Sequence, residues 1–361
     1  MTKIHNFSAG PSILPQEVFE KASAAVLNFN GLNLSLLEVS HRSKDVVDMT
    51  DHAIALVKEL LGVPEGYSVV FLQGGASLQF YMSALNFLKV GGKGGYIDTG
   101  VWSTKAIKEA KRIGTIDVVA SSKDRNFCYI PKDYNIPTDL DFLHYTTNNT
   151  IFGTQFTAFP KPVVPLLADM SSDIFSQPIN VSDHALIYAG AQKNMGPAGV
   201  TLAIVKDSLL GKTGRDLPAM LDYQVQIKGE SMFNTPPVFS IYVSMLTLEW
   251  LKAKGGVAWA EKNNKAKAEL FYNELDRNSL FVGTADKADR SRMNATFLLK
   301  DEALDAEFSA LLKAANISGL KGHRDVGGYR ASMYNALPLA SVQVLVDVMR
   351  DLENKKANSW R

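Results

Sequence analysis

Short apolar runs alternate with stretches of helical spacing along most of this chain, and that alternation is the strongest constraint on its fold. Val69-Val70-Phe71-Leu72 is an apolar run ending at Gly74-Gly75. The segment Ser77 to Lys89 then carries Leu78, Tyr81, Met82, Leu85 and Leu88 at the spacing of one helix face. Strands are expected at Gly95 to Asp98, Ile116 to Ala120, Phe142 to Thr147, Val163 to Leu167, Ala185 to Tyr188 and Val200 to Val205, with a helix over Thr104 to Arg112. Asn126 to Ile130, around Cys128, also reads as a strand element. The pattern predicts an α/β domain with a largely parallel sheet. Asn234 to Pro237 interrupts it before a helix over Ser240 to Lys254, and Gly255-Gly256 marks a domain boundary. A smaller α+β unit follows, with helices near 258–277, 304–315 and 340–354 and strands at Ala295 to Leu299 and Arg330 to Tyr334. The expected division is 16–255 for the large domain and 256–361 for the small one.

At 361 residues the chain suits such a two-part organisation. Hydrophobic residues make up 46% and charged residues 21%, with a formal net charge of +1, so no basic excess invites nucleic acid. The single cysteine, Cys128, excludes an intrachain disulfide framework and fits the reducing cytoplasm. The N-terminus lacks the apolar core of a signal peptide, and no apolar stretch approaches the ~20 residues of a membrane span. No metal-ligand spacing appears, so no metal is expected.

Chemistry concentrates around Lys193, in the run Ala189-Gly190-Ala191-Gln192-Lys193-Asn194-Met195-Gly196-Pro197-Ala198-Gly199. A lysine held between two apolar segments is prone to a lowered pKa, which suits Schiff-base chemistry. Upstream, Asp169 ends the apolar run Leu166-Leu167-Ala168. An acid able to hold a pyridinium N–H, followed by such a lysine, is what pyridoxal 5'-phosphate (PLP) requires. The Gly74-Gly75-Ala76-Ser77 turn opens a helix after a strand, where backbone N–H groups form an anion site. It lacks a Gly-Lys-Ser/Thr ending, which argues against a nucleoside triphosphate. Ligands in parallel sheets gather beyond the carboxyl ends of the strands, and Asp169, Lys193 and this turn all follow strand candidates.

The lysine run resembles that of the phosphoserine aminotransferases, class V members of the fold-type I PLP enzymes. Matching pieces occur in order along nearly the whole chain: Asn6 to Pro11, Ser40-His41-Arg42-Ser43-Lys44, Gly100-Val101-Trp102, Asn234-Thr235-Pro236-Pro237, His323-Arg324, and Gly328 to Ala336. The resemblance implies a large domain with a mostly parallel, seven-stranded-type sheet, and an N-terminal arm (1–15) packed with the smaller domain. It implies Lys193 and Asp169 as catalytic residues on PLP. Ala76, Ser77 and Gln192 would contact the cofactor phosphate, and Trp102 would stack on its ring. Thr150 would bond its phenolic oxygen, with Thr147 and Thr154 as nearby alternatives. Asn234 and Thr235 would reach the phosphate from a neighbouring subunit, which implies a homodimer with shared sites. Ser8 is placed with the substrate. Arg330 would take its α-carboxylate, and His41, Arg42, His323 and Arg324 its distal phosphate, the first pair coming from the partner.

Read alone, several of these residues have plainer roles. Trp102 would be a core or interface aromatic, and each His-Arg pair a surface loop. One position departs from the family: some members carry a phosphate-binding arginine where this chain has Ser77. The implied reaction is transamination between L-glutamate and 3-phosphohydroxypyruvate in serine biosynthesis, with the analogous 4-phosphohydroxythreonine step of vitamin B6 synthesis as a further activity. Rival readings are a serine or alanine–glyoxylate aminotransferase, for which two His-Arg pairs are more cation than needed, and a cysteine desulfurase, for which Cys128 stands too early. A non-catalytic PLP-binding protein is the rival from another class, and intact Lys193 and Asp169 argue against it.

Overall fold

The computed structural model describes residues 4–323 and 326–359. The N-terminal arm contributes β1 (His5–Asn6) and leads into α1 (Gln16–Leu27) and α2 (Lys44–Leu61). The alternating region follows as β2 (Tyr67–Leu72), α3 (Gly75–Phe87), β3 (Lys93–Asp98), α4 (Val101–Ala110), β4 (Thr115–Ser121) and β5 (Phe142–Thr146). It closes with β6 (Leu166–Asp169), β7 (Leu186–Gly190) and β8 (Thr201–Lys206). Next come α5 (Tyr223–Lys228), α6 (Val238–Lys254) and α7 (Gly256–Arg277). The last part is β9 (Phe281–Gly283), β10 (Asn294–Leu299), α8 (Asp305–Ala314), β11 (Ile317–Ser318), β12 (Tyr329–Ser332) and α9 (Leu339–Ser359).

The main sheet has seven strands in the order β2-β8-β7-β6-β5-β3-β4. Only β8 runs against its neighbours; the other pairings are parallel. The carboxyl ends of β2, β3, β5, β6 and β7 therefore share one edge. One apolar layer, including Val46, Ala53, Val57, Ile187, Ile204, Ile241 and Leu248, packs α2 and α6 on one face. Another, including Phe80, Ala84, Ala106, Ala110 and Tyr188, packs α3 and α4 on the opposite face. Both faces are covered, which is why the strands read as continuous apolar runs. A third core joins α7, α8 and α9 to the β12-β10-β9 sheet and takes in Phe7 from the arm, whose β1 pairs with β11.

The structure departs from the sequence expectations in places. Residues 126–130 around Cys128 form no strand: Asn126 and Phe127 adopt positive φ, and Cys128 N–H donates back to the Arg125 carbonyl, so the chain turns there. The strand expected from Val163 begins only at Leu166, since Pro165 has no N–H to donate to a ladder. Helices α1 and α2 answer to no expectation above, although Val46, Met49, Ala53, Leu56 and Leu60 line the buried face of α2 at helical spacing.

One buried lysine ties α7 to the segment after β12 within the third core. Lys267 of α7 is buried, and its Nζ donates to the carbonyls of Met333 (2.9 Å) and Tyr334 (2.6 Å). Burial lowers its pKa to about 7. An unfolded lysine titrates near ~10.4, so between these values the unfolded chain binds more protons and stability rises with pH. The melting temperature of the wild type minus that of Lys267→Met is expected to increase from about pH 7 to about pH 10. A flat difference across that window counts against a buried, neutralising lysine.

Candidate active site

Four segments at the carboxyl edge converge on Lys193. β7 delivers Gly190, and the turn that follows holds Lys193 between Ala191 and Gly196, with Gly196 N–H donating to the Ala191 carbonyl at 2.8 Å. β3 ends at Asp98, whose Oδ1 accepts from the hydroxyls of Ser103 and Thr104 at 2.9 Å each. That clasp fixes the Gly100-Trp102 turn. A side chain at Gly100 would collide with Asn149, since a Cβ there would lie 1.7 Å from the amide nitrogen, so only glycine lets this turn approach the loop after β5. Trp102 Nε1 then donates to the Thr150 hydroxyl at 2.9 Å, and the Thr150 carbonyl accepts from Arg330 Nη1 at 2.9 Å. Lys193 Nζ lies 5.4 Å from the centre of the Trp102 ring.

Charge in this cluster is tightly arranged. Asp169 is buried, and burial raises its pKa against the opposing pull of Lys193 and two Ser171 hydrogen bonds. Its Oδ1 accepts from Ser171 N–H (3.0 Å) and the Ser171 hydroxyl (2.6 Å); its Oδ2 accepts nothing among the described residues. Burial lowers the Lys193 pKa, with Asp169 opposing and Arg330 adding to the shift. Burial also lowers that of Arg330, and its Nε is buried without a hydrogen-bond partner among the described residues. An acid with a free oxygen and an incompletely paired guanidinium thus both act on a lysine inclined to the neutral amine.

The other candidates lie at varied distances from this cluster. Ala76 packs on the same apolar layer as Trp102. Gly74 caps α3 without a side-chain acceptor, and a Cβ there would lie 2.6 Å from Leu78, so the first-turn N–H groups around Ala76 and exposed Ser77 stay open to an anion. Gln192 joins the arm, its carbonyl accepting from Ser12 N–H at 3.0 Å, while Ser12 Oγ donates to the Lys193 carbonyl. Ser8 lies against Gly319. Thr147 is committed to Asp169 and Asp173, and the Thr154 hydroxyl is buried without a partner among the described residues; of the three threonines, Thr150 is the one joined to Trp102 and Arg330. The Thr235 carbonyl accepts from Gln73 beside the Gly74 turn at 2.9 Å, while the Thr235 side chain is exposed and that of Asn234 half-buried. His41 and Arg42 lie in the loop between α1 and α2; His41 Nε2 is buried without a hydrogen-bond partner among the described residues, and Arg42 is exposed. His323 sits on the Gly-rich loop before β12, where Val326 packs near Trp102. Arg324 lies outside the described residues.

The family model described as aminotransferase class-V matches residues 4–345. The chain belongs to the class-V aminotransferase family. The phosphoserine aminotransferase of Flavobacterium johnsoniae is 62% identical over 354 residues, which span 98% of this chain and 99% of that one. The structure of the phosphoserine aminotransferase from Bacillus circulans subsp. alkalophilus superposes with a TM-score of 0.95 at 43% identity, covering 98% of this chain and 99% of the other. The PLP-bound phosphoserine aminotransferase from Trichomonas vaginalis gives 0.92 at 37%, covering 96% and 100%.

As a class-V aminotransferase, the protein also places residues at this site that the sequence reading passed over. Asp98 and Ser103 pin the Trp102 turn, and Asp173 lies in the turn after β6. Asn194 links the lysine turn to the residues beyond β12, accepting from Asn335 N–H at 2.9 Å and donating to the Ile174 carbonyl at 2.6 Å. An acid at a strand end followed five and six residues later by Ser103-Thr104 was a readable signal; the partners of Asp173 and Asn194 are distant in sequence and were not.

Lys193 is the lysine whose burial favours a reactive neutral amine beside an aromatic face. Incubation with PLP, borohydride reduction and peptide mapping are expected to place the label on Lys193. Label on Lys206 or Lys212 in its place overturns this site.

Proposed function

We infer that the protein transfers the amino group of L-glutamate to 3-phosphohydroxypyruvate, giving O-phospho-L-serine and 2-oxoglutarate, with PLP as cofactor. The observation that carries the cofactor is the pairing of buried Asp169, with its free Oδ2, and Lys193 beneath the Trp102 ring. Those residues fit the group: Asp169 would hold the ring N–H, Lys193 the aldehyde carbon, Trp102 the ring face, and Thr150 the phenolic oxygen. The open first turn of α3 at Ala76 and Ser77, with Gln192, would take the phosphate. When bound, PLP supplies the electron sink for the carbanion at Cα.

The chain's own residues do the rest. Lys193 takes the Cα proton from glutamate in the first half-reaction and delivers one to Cα of the new amino acid in the second. Burial lowers its pKa, which favours the neutral amine that acts as the base. Arg330 holds the α-carboxylate common to every substrate, its unpaired buried Nε supporting that assignment. Ser8, His323 and Arg324, with His41 and Arg42 of a second copy, would surround the distal phosphate or the glutamate side-chain carboxylate. In this reading the arm 1–15 and residues 256–361 form the smaller domain against the body 16–255. Serine biosynthesis is the setting, and the analogous vitamin B6 step is a second use of the same site. The glyoxylate-aminotransferase alternative is not favoured, because relatives of 55–62% identity across the chain carry the phosphoserine name.

A homodimer with shared sites is part of this proposal. His41 Nε2 is buried yet unpartnered among the described residues, and Leu27, Leu37 and Phe233 are exposed. Among the described residues no helix is long and apolar enough to cross a membrane; we place the enzyme in the cytoplasm.

A charge-assisted hydrogen bond contributes about 1.5–3 kcal/mol, so removal of one arginine is expected to lower kcat/KM by about one to two decades. Arg330→Ala should weaken phosphohydroxypyruvate, hydroxypyruvate and pyruvate alike, whereas Arg42→Ala should weaken the phosphorylated acid most. A wild type with no preference for the phosphorylated acid would falsify the phosphoserine reading.

Shared sites have their own check. Inactive Lys193→Ala mixed with an inactive Asn234/Thr235 double alanine variant, under conditions that exchange subunits, should regain activity, since one mixed site is complete. Demonstrated heterodimers with no recovery would exclude a contribution in trans.

A further inference from the structure

Asp173 takes no part in the chemistry above, yet it is a buried acid with both carboxylate oxygens engaged. The Thr147 hydroxyl donates to Oδ1, and Gln155 Nε2 donates to Oδ2 at 3.1 Å. Gln155 cannot readily turn over, because its Oε1 accepts from Arg292 N–H at 2.9 Å. Thr147 stands between two acids: its hydroxyl also lies 3.1 Å from the Asp169 carbonyl, and its N–H donates to that carbonyl at 3.0 Å. A hydroxyl has one proton, and a carboxylate is the stronger acceptor. Asp173 therefore orients Thr147, and Thr147 secures the backbone of Asp169 at the end of β6.

The titratable groups facing Asp173 are Asp169, Lys193, Tyr145 of β5 and Tyr334 beyond β12. Burial raises the pKa of both tyrosines, which stay neutral. Burial pushes Asp173 up to about 6, with Thr147 and Gln155 opposing, so it is ionised at neutral pH. Its charge then favours protonated Lys193.

Resting on the reading of Lys193 and Asp169 as the PLP site, we propose that Asp173 is a positioning residue: through Thr147 it fixes the strand end that carries Asp169, and its carboxylate supplies a second negative charge to the Lys193 pocket. The lysine turn then faces two acids, one for the cofactor ring and one set behind it. Asp173 touches neither substrate nor cofactor; it acts on the proton held at the lysine nitrogen.

The test is the pH midpoint of the visible absorption band that the holoenzyme gives with PLP on Lys193, read from about pH 5 to about pH 11. Asp173→Asn keeps the shape and removes the charge, and its midpoint is expected about one pH unit below wild type. It also sets an amide N–H₂ against that of Gln155. The double variant Asp173→Asn/Gln155→Glu restores that hydrogen bond and returns a carboxylate one bond away, so it should recover most of the shift and most of the loss in urea stability. Should Asp173→Asn not fold, Thr147→Ser and Thr147→Val read the same link: serine keeps the wild-type midpoint, and valine, which removes a donor to Asp173, lowers it. A midpoint unchanged in Asp173→Asn, or unchanged in Thr147→Val, overturns the proposal, as does a band that titrates in none of the variants. A wild type without any PLP band sinks the underlying site instead, before Asp173 is reached.

Discussion

Parallel pairing of β5, β6 and β7 is the constraint on which the site depends. Thr146 is registered against Asp169, and Asp169 against Tyr188, so β5 and β6 end level and β7 runs on two residues to Gly190. Side chains alternate faces along a strand, and a slip of one residue would turn Asp169 from the pocket into an apolar layer. Parallel strands also need long crossovers, which is where α3 and α4 enter, and each crossover leaves a loop at the same edge. The single antiparallel strand, β8, lets the lysine turn fold straight back: Ala191 N–H donates to the Val200 carbonyl at 3.1 Å, holding Lys193 at the mouth of the sheet.

A buried polar network carries this edge to the third core. Asn148 Nδ2 donates to Ser172 Oγ and Asn294 Oδ1 at 2.8 Å each, and Asn294 Nδ2 in turn reaches Ser332 (3.0 Å) and Tyr334 (3.1 Å). Tyr334 donates onward to the Ala9 carbonyl of the arm at 2.8 Å. Removing one member leaves a buried partner unpaired, which costs about 1–3 kcal/mol, so such networks specify one arrangement rather than many. The consequence for chemistry is that Arg330, on β12, meets the Thr150 carbonyl from the β5 loop.

Electrostatics within the pocket follow from that geometry. Burial favours the neutral forms of Asp169, Asp173 and Lys193. Mutual attraction works against burial, and the hydrogen bonds from Ser171, Thr147 and Gln155 favour the carboxylates. Arg330 adds positive charge near Lys193 from the side of the β5 loop, and pulls the lysine pKa further down.

Local information took the sequence a long way. Period-3.6 and apolar runs gave the order of strands and helices from β2 to β8, because each depends on neighbours only a few residues apart. Asp169 and Lys193 stood out for the same reason: one ends an apolar strand and the other lies in the turn that follows one. Local cues misled at Cys128, where a turn with positive φ hides inside an apolar run. They did not identify which threonine meets Trp102, since Thr147, Thr150 and Thr154 share one loop and differ only in what folds against them. What the sequence by itself determined was the α/β alternation and the family. Tertiary structure alone decided that Arg330 faces Thr150, that the arm closes on the lysine turn, and that Asp173 lies behind Asp169. Those contacts join segments far apart in the chain, and their strength comes from burial that exists only once the layers have packed.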